Sequence, residues 1–241
     1  MSLQVAIRRS PNPGRPPLSP LVSPLSPLQY RLRRALISGR STGAEAVLQL
    51  PERRSTAPGR PAGRERRGAG LLTRACADAA LWPDGTVSIP LNAKHLQPEH
   101  VASALAESGL DPERLELLFA ETALTDPDED LLLALAAIRD LGVGLAVDEF
   151  AAELGNLSHL RRLPMTALKL SRNLVRGLPA DRCESAIARA IVATAQALEF
   201  NVIADGIDTE SQLAFLAACG CDEGQGPLFG LHLPESRPMG T

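Results

Sequence analysis

Acidic residues recur at the ends of apolar runs in this 241-residue chain. Glu121 closes RLELLFAE (114–121), Asp148 and Glu149 follow VGLAV, and Asp205 follows NVIA. Asp208 comes three residues later, Glu45 interrupts GAEAVLQL (43–50), and Gln225 lies near the last apolar stretch. Lys169 sits inside TALKLS (166–171) and is one of only 2 lysines beside 23 arginines. An unpaired buried carboxylate is costly, so this pattern requires compensating cations. Divalent metals held by oxygen ligands are one solution, and Lys169 with arginine partners is the other. A single acid at a strand end is usually a turn former or helix cap, and Asp205-Gly206 alone reads that way. The adjacent pair Asp148-Glu149, with a lysine in mid-strand, reads as a site.

The elements that position these residues are legible from residue 70 onward. Helices are expected over 71–82, 98–108, 127–140, 156–163, 181–198 and 209–219. Strands are expected over 86–91, 114–121, 143–150, 166–171 and 201–207, with a short strand or loop at 224–230. This alternation implies parallel βαβ units, arranged as a doubly wound sheet or a (β/α)8 barrel. In such a barrel the chemistry lies at the C-terminal ends of the strands, where the acids fall. Upstream the pattern is weaker. Residues 30–39, YRLRRALISG, read as a short amphipathic helix closed by Gly39, and 51–70 as a mobile Arg/Gly/Pro loop. Residues 10–28 contain seven prolines and read as an extended, disordered leader.

Composition excludes several classes. Hydrophobic residues make up 44% and charged residues 22%, as in an ordinary globular protein. No run of 18 apolar residues exists, so no membrane span is expected. Arg8 and Arg9 are followed by prolines rather than an apolar segment, which argues against a secretory signal. The four cysteines form no disulfide framework and are read as core or strand-end thiols, consistent with a cytoplasmic setting. The net charge of −3 conceals an asymmetry: residues 1–75 hold 14 Arg against 3 Glu, and residues 76–241 hold 11 Lys and Arg against 25 Asp and Glu. The basic head holds a single aromatic, Tyr30, so a nucleic-acid partner is not expected.

The stretches LSHLRRLPMTALKLSRNLVRGLP (157–179) and AIARAIVATAQALEFNVIADGIDTESQLAFLAACGCDEGQGPLFG (186–230) carry a family resemblance. With GLDPERLELLFAETAL (109–124) and GAEAVLQL (43–50), they resemble the EAL domain, which hydrolyses cyclic di-GMP in bacterial signalling. The resemblance implies a TIM-like α/β barrel with one antiparallel strand over residues 30–236, after a leader (1–29) and before a tail (237–241). It also implies a Mg²⁺ or Mn²⁺ pair that activates water against the phosphodiester. By position, Glu45, Asp148, Glu149 and Asp205 match metal ligands, and Lys169 matches the lysine that holds the attacking water. Glu121 matches an acid that anchors a loop near the metals. Gln225 and Gln49 fall at substrate-side positions.

The departures point away from strong hydrolysis. The motif Asn falls on Pro90, with Asn92 two residues on, and a metal-binding Glu falls on Leu118. Glu149 is a methylene longer than the family's Asp, and Asp205 a methylene shorter than its Glu. Metal sites tolerate shifts of only about 0.2 Å in ligand distance. The Arg that contacts the dinucleotide is Gln49, the Gln-Pro dipeptide of the first strand is missing, and the loop after Phe150 is AAELGN (151–156). The preferred reading is a degenerate, non-catalytic regulator acting through protein contacts. The alternatives are a cyclic di-GMP receptor without hydrolysis and a weak metal-dependent phosphodiesterase giving linear pGpG. Cyclic di-GMP, a regulatory protein and a second copy of the chain are the candidate partners.

Overall fold

The computed structural model describes residues 28–48, 62–151 and 162–230. The proline-rich leader up to residue 27, Gln49, most of AAELGN and most of the helix expected over 156–163 lie outside them. Eight strands close into a barrel in chain order. They are β1 (Leu28–Ala35), β2 (Ser41–Leu48), β3 (Thr86–Pro90), β4 (Leu115–Ala120), β5 (Gly144–Phe150), β6 (Ala167–Leu170), β7 (Asn201–Asp205) and β8 (Glu223–Gln225). The helices among the described residues are α1 (Ala62–Ala80), α2 (Pro98–Ser108), α3 (Glu129–Asp140), α4 (Arg172–Gly177), α5 (Arg182–Ala197) and α6 (Glu210–Cys219). β1 runs antiparallel to both its neighbours, and every other pairing is parallel. Closure thus decides between the two architectures that alternation alone left open.

Two expectations near the N-terminus are corrected. Residues 30–39 do not form a helix: β1 occupies 28–35, and Gly39 (φ +69°) closes the turn into β2. The physical reason is a period of two. Tyr30 faces the helical layer, where its hydroxyl donates to Asp78 at 2.7 Å and its ring meets Trp82 edge-on. Arg31 and Arg33 face the barrel interior, where carboxylates receive them. The segment 51–70 is not a loop throughout, because α1 begins at Ala62.

The helix starts follow sequence rules. Asp128, Ser171, Asp181 and Thr209 accept hydrogen bonds from first-turn amides, and Thr209 with Gln212 forms a capping box. The main core lies between strands and helices and includes Val87, Leu117, Phe119, Leu145, Leu168, Val202 and Leu216. A second, smaller apolar layer, Leu118, Ala146, Ala167 and Ile203, fills the barrel itself. Two residues on from Ala146, Ala167 and Ile203, the same strand faces carry Asp148, Lys169 and Asp205. The apolar layer therefore supports a charged layer at the mouth. No helix among the described residues is long and apolar enough to cross a membrane.

Candidate functional site at the barrel mouth

Lys169 is the centre of the mouth and is 2% exposed. Its ammonium donates to Glu45 Oε2 at 2.6 Å and pairs with Asp148 Oδ1 at 3.1 Å. Gln225, also buried, donates from Nε2 to Glu45 Oε2 at 2.6 Å and to Asp205 Oδ1 at 3.1 Å. Arg31 completes the set, with Nη2 2.6 Å from Glu45 Oε1 and Nη1 3.3 Å from Asp205 Oδ1. Arg172, half-exposed on α4, reaches Asp205 Oδ1 at 3.5 Å. Three carboxylates thus face three cations, and the cluster carries no excess charge.

The electrostatics are those of mutually stabilised ions. Burial alone would raise the Glu45 carboxyl pKa, but Lys169 and Arg31 outweigh it and hold the group at about 2. Burial works against charge on Lys169 as well, yet Glu45, Asp148 and Asp205 keep its ammonium pKa above the usual lysine range. The same balance raises Arg31, through Glu45 and Asp205.

Local backbone features aim these groups. At the end of β5 the pairing with β6 shifts between Val147 and Phe150, and Glu149 and Ala151 adopt left-handed φ of +56° and +63°. Such angles are strained for side chains other than glycine and persist only where surroundings enforce them. Two carboxylates supply that enforcement: Asp148 Oδ1 accepts from the Glu149 amide at 2.9 Å, and Glu121 Oε2 accepts from the Ala151 amide at 3.2 Å. At the last strand, Gly226 (φ +152°) lies against the Ile207 backbone where any Cβ would collide. That approach lets the Gln225 carbonyl accept from the amides of Gly206 at 2.9 Å and Ile207 at 3.1 Å.

The structure thus brings together Glu45, Asp148, Lys169, Asp205 and Gln225. Glu149 is exposed at the bulge and makes no side-chain bond to this cluster. Glu121 stands one shell out, holding the start of the loop after β5. Asp208 is exposed, and Asn92 caps a short 3-10 turn through Lys94 N at 3.0 Å rather than entering the mouth. Pro90 is exposed at the end of β3, and Leu118 belongs to the apolar layer.

Sequence reasoning did not single out Arg31, Arg172 or a second ionic layer below. There Arg33 Nη1 lies 2.6 Å from Glu116 Oε1, and its Nε lies 2.6 Å from Glu223 Oε2. Ser88 donates to Glu116 at 2.7 Å and Thr42 to Glu223 at 3.0 Å. The available signal was the spacing of Arg31 and Arg33, two apart with Leu32 between them, which places both on one strand face.

The donor set does not fit a two-metal centre. A cation of the chain already contacts each of Glu45, Asp148 and Asp205, and where the resemblance puts two further ligands the chain has Leu118 and Pro90. Among the described residues no group of three or more His, Cys, Asp or Glu side chains is arranged to hold a metal ion.

Comparison with known proteins identifies the fold's relatives. A family model described as the EAL domain matches residues 28–231. The cyclic di-GMP phosphodiesterase NbdA of Pseudomonas aeruginosa is 44% identical over 100 residues, which is 42% of this chain and 13% of that protein. The bifunctional diguanylate cyclase/cyclic di-GMP phosphodiesterase MucR of the same organism is 33% identical over 180 residues, 71% of this chain and 26% of that protein. The chain therefore spans about a quarter or less of the length of these relatives. Among solved structures, the PaMucR phosphodiesterase in complex with c-di-GMP superposes with a TM-score of 0.76 at 28% identity, covering 86% of this chain and 91% of that one. The EAL domain of Mycobacterium smegmatis DcpA gives 0.76 at 26% identity, covering 87% and 92%. The Klebsiella pneumoniae BlrP1 manganese/cy-diGMP complex at pH 6 shares the fold, with a TM-score of 0.76 at 24% identity over 89% of this chain and 57% of that one. With its closed eight-stranded barrel, its single antiparallel strand and the match over residues 28–231, this chain belongs to the EAL domain family of cyclic di-GMP signalling.

Proposed function

We propose that this barrel is a non-hydrolysing member of its family, acting in cyclic di-GMP signalling as a regulator through contacts with another protein. One observation carries this reading: three of the four acids that match metal ligands, Glu45, Asp148 and Asp205, are already paired with Lys169, Arg31 and Arg172. A two-metal mechanism requires both ions placed together to activate water and to neutralise the phosphodiester. Here Lys169 and Gln225 both donate to Glu45 Oε2, and Arg31 bonds Oε1, so both oxygens of that carboxylate are engaged. Leu118 and Pro90 supply no further oxygen ligands. We place this function in the cytoplasm, where four unpaired thiols persist.

A second reading, a receptor that binds cyclic di-GMP without cutting it, draws on Arg172 and Arg31, which are partly exposed and could donate to a phosphate. Calorimetric titration with cyclic di-GMP, with and without Mg²⁺ or Mn²⁺, separates the readings. Absence of heat under every condition is the expected result. Heat without metal and without linear product favours the receptor. Metal-dependent formation of linear pGpG overturns both.

A further inference from the structure

We infer that Arg31 is a resident cation that substitutes for a divalent ion, closing the barrel seam at the mouth while excluding metal. This rests on the non-hydrolysing reading above and deepens it.

The seam geometry is the first support. β1 pairs with β2 over seven residue pairs, from Leu28–Leu48 to Arg34–Ser41. Against β8 it pairs only at Arg34–Gly224 and Ala35–Glu223, at the end away from the mouth. Because β1 is antiparallel, its N-terminal half runs up to the mouth without a backbone ladder to β8. At that level the link is made by side chains. Arg31 extends from β1 past β8 to Asp205 on β7 while also bonding Glu45 on β2. Gln225 on β8 bonds the same two carboxylates. The guanidinium therefore ties three strands across the gap.

The charge geometry is the second support. A planar guanidinium presents donors on two sides and stays charged, so it can bridge two carboxylates that would otherwise repel or recruit a cation. Glu45 and Asp205 are bridged in this way, and Lys169 engages the other oxygen of Glu45. A metal ion entering between Glu45 and Asp205 would have to displace a tethered charge that cannot diffuse away.

The test uses Mn²⁺ alone as the probe, on the full chain, read by electron paramagnetic resonance and by thermal melting in Mn²⁺ against EDTA. Wild type is expected to show no saturable Mn²⁺ binding and the same melting temperature in both. Arg31→Gln removes the charge and is expected to gain one bound Mn²⁺ per chain, at least about tenfold tighter than any wild-type binding, with a melting temperature raised by Mn²⁺. Arg31→Lys keeps the charge but cannot bridge both acids. It is expected to melt below wild type and still exclude Mn²⁺, and this variant decides the matter if Arg31→Gln does not fold. Saturable Mn²⁺ binding by wild type or by Arg31→Lys, or a folded Arg31→Gln that gains none, overturns the inference. Cyclic di-GMP hydrolysis by wild type would instead overturn the non-hydrolysing reading. Saturable wild-type Mn²⁺ binding without hydrolysis would overturn this inference alone.

Discussion

Replacing Lys169 with Met is the most informative perturbation of the mouth. The substitution keeps most of the buried apolar stem and removes the ammonium that lies 2.6 Å from Glu45 and 3.1 Å from Asp148. Removing one partner of a buried ion pair leaves an uncompensated charge and costs about 3–5 kcal/mol. The proton equilibrium of Glu45 gives an independent figure. Its pKa falls from 4.5 to about 2 in the folded chain. At about 1.4 kcal/mol per pH unit, that shift corresponds to about 3 kcal/mol, shared between Lys169, Arg31 and Gln225. For a domain of this size, 1 kcal/mol moves the melting temperature by about 2–4 °C, so a drop of about 6–20 °C is expected at neutral pH. The sign of the pH dependence follows from the depressed pKa. The stabilisation is fully present above pH 4.5 and is lost as pH falls through about 2. The gap between wild type and Lys169→Met should therefore narrow as pH falls from 4.5 toward 2. The assay is circular-dichroism melting across that range, with Glu45→Gln/Lys169→Met as a companion. The double variant removes both charges and should recover much of the loss. A single variant that melts within about 2 °C of wild type at neutral pH would refute the reasoning. So would a gap that does not change with acid.

Three further outcomes follow from the same structure. Arg33→Met strands Glu116 and Glu223 inside the barrel and should cost about 3–5 kcal/mol, measured by urea unfolding. Leu118→Glu puts a carboxylate into the apolar layer with Ala146, Ala167 and Ile203, and should destabilise by more than about 2 kcal/mol in EDTA. Thr209→Ala removes the capping-box hydroxyl of α6 and should cost about 1 kcal/mol in the same unfolding assay.

The part of the fold that was legible in the sequence is the part whose residues report local physics. β3 to β7 are short apolar runs bounded by turn residues, and α2 lies between Pro98 and Gly109 as expected. The acids at strand ends, and Lys169 among apolar neighbours, were conspicuous because buried charge is rare. β1 was less legible, because Arg31, Arg33 and Arg34 among leucines fit a short amphipathic helix as well as a strand. What decides it is pairing with β2 and β8: Arg31 meets Asp205, 174 residues away, and Arg33 meets Glu223, farther still along the chain. The start of α1 was obscured by an Arg/Gly-rich composition, and α4 is too short, at six residues, to give a periodic signal. Leu118 and Pro90 were readable as departures from the family pattern. That Glu45, Asp148 and Asp205 are occupied by the chain's own cations was not, because it depends on how β1, β2, β5, β6 and β7 come together.

This mouth carries its own cations, and we propose that it does not perform two-metal hydrolysis. Incubating the purified chain with cyclic di-GMP in Mg²⁺ or Mn²⁺, and separating the nucleotides by chromatography, tests it most directly. The predicted result is intact cyclic dinucleotide, with linear product no higher than in the protein-free control. Linear pGpG that accumulates with time, scales with protein and disappears in EDTA would contradict it.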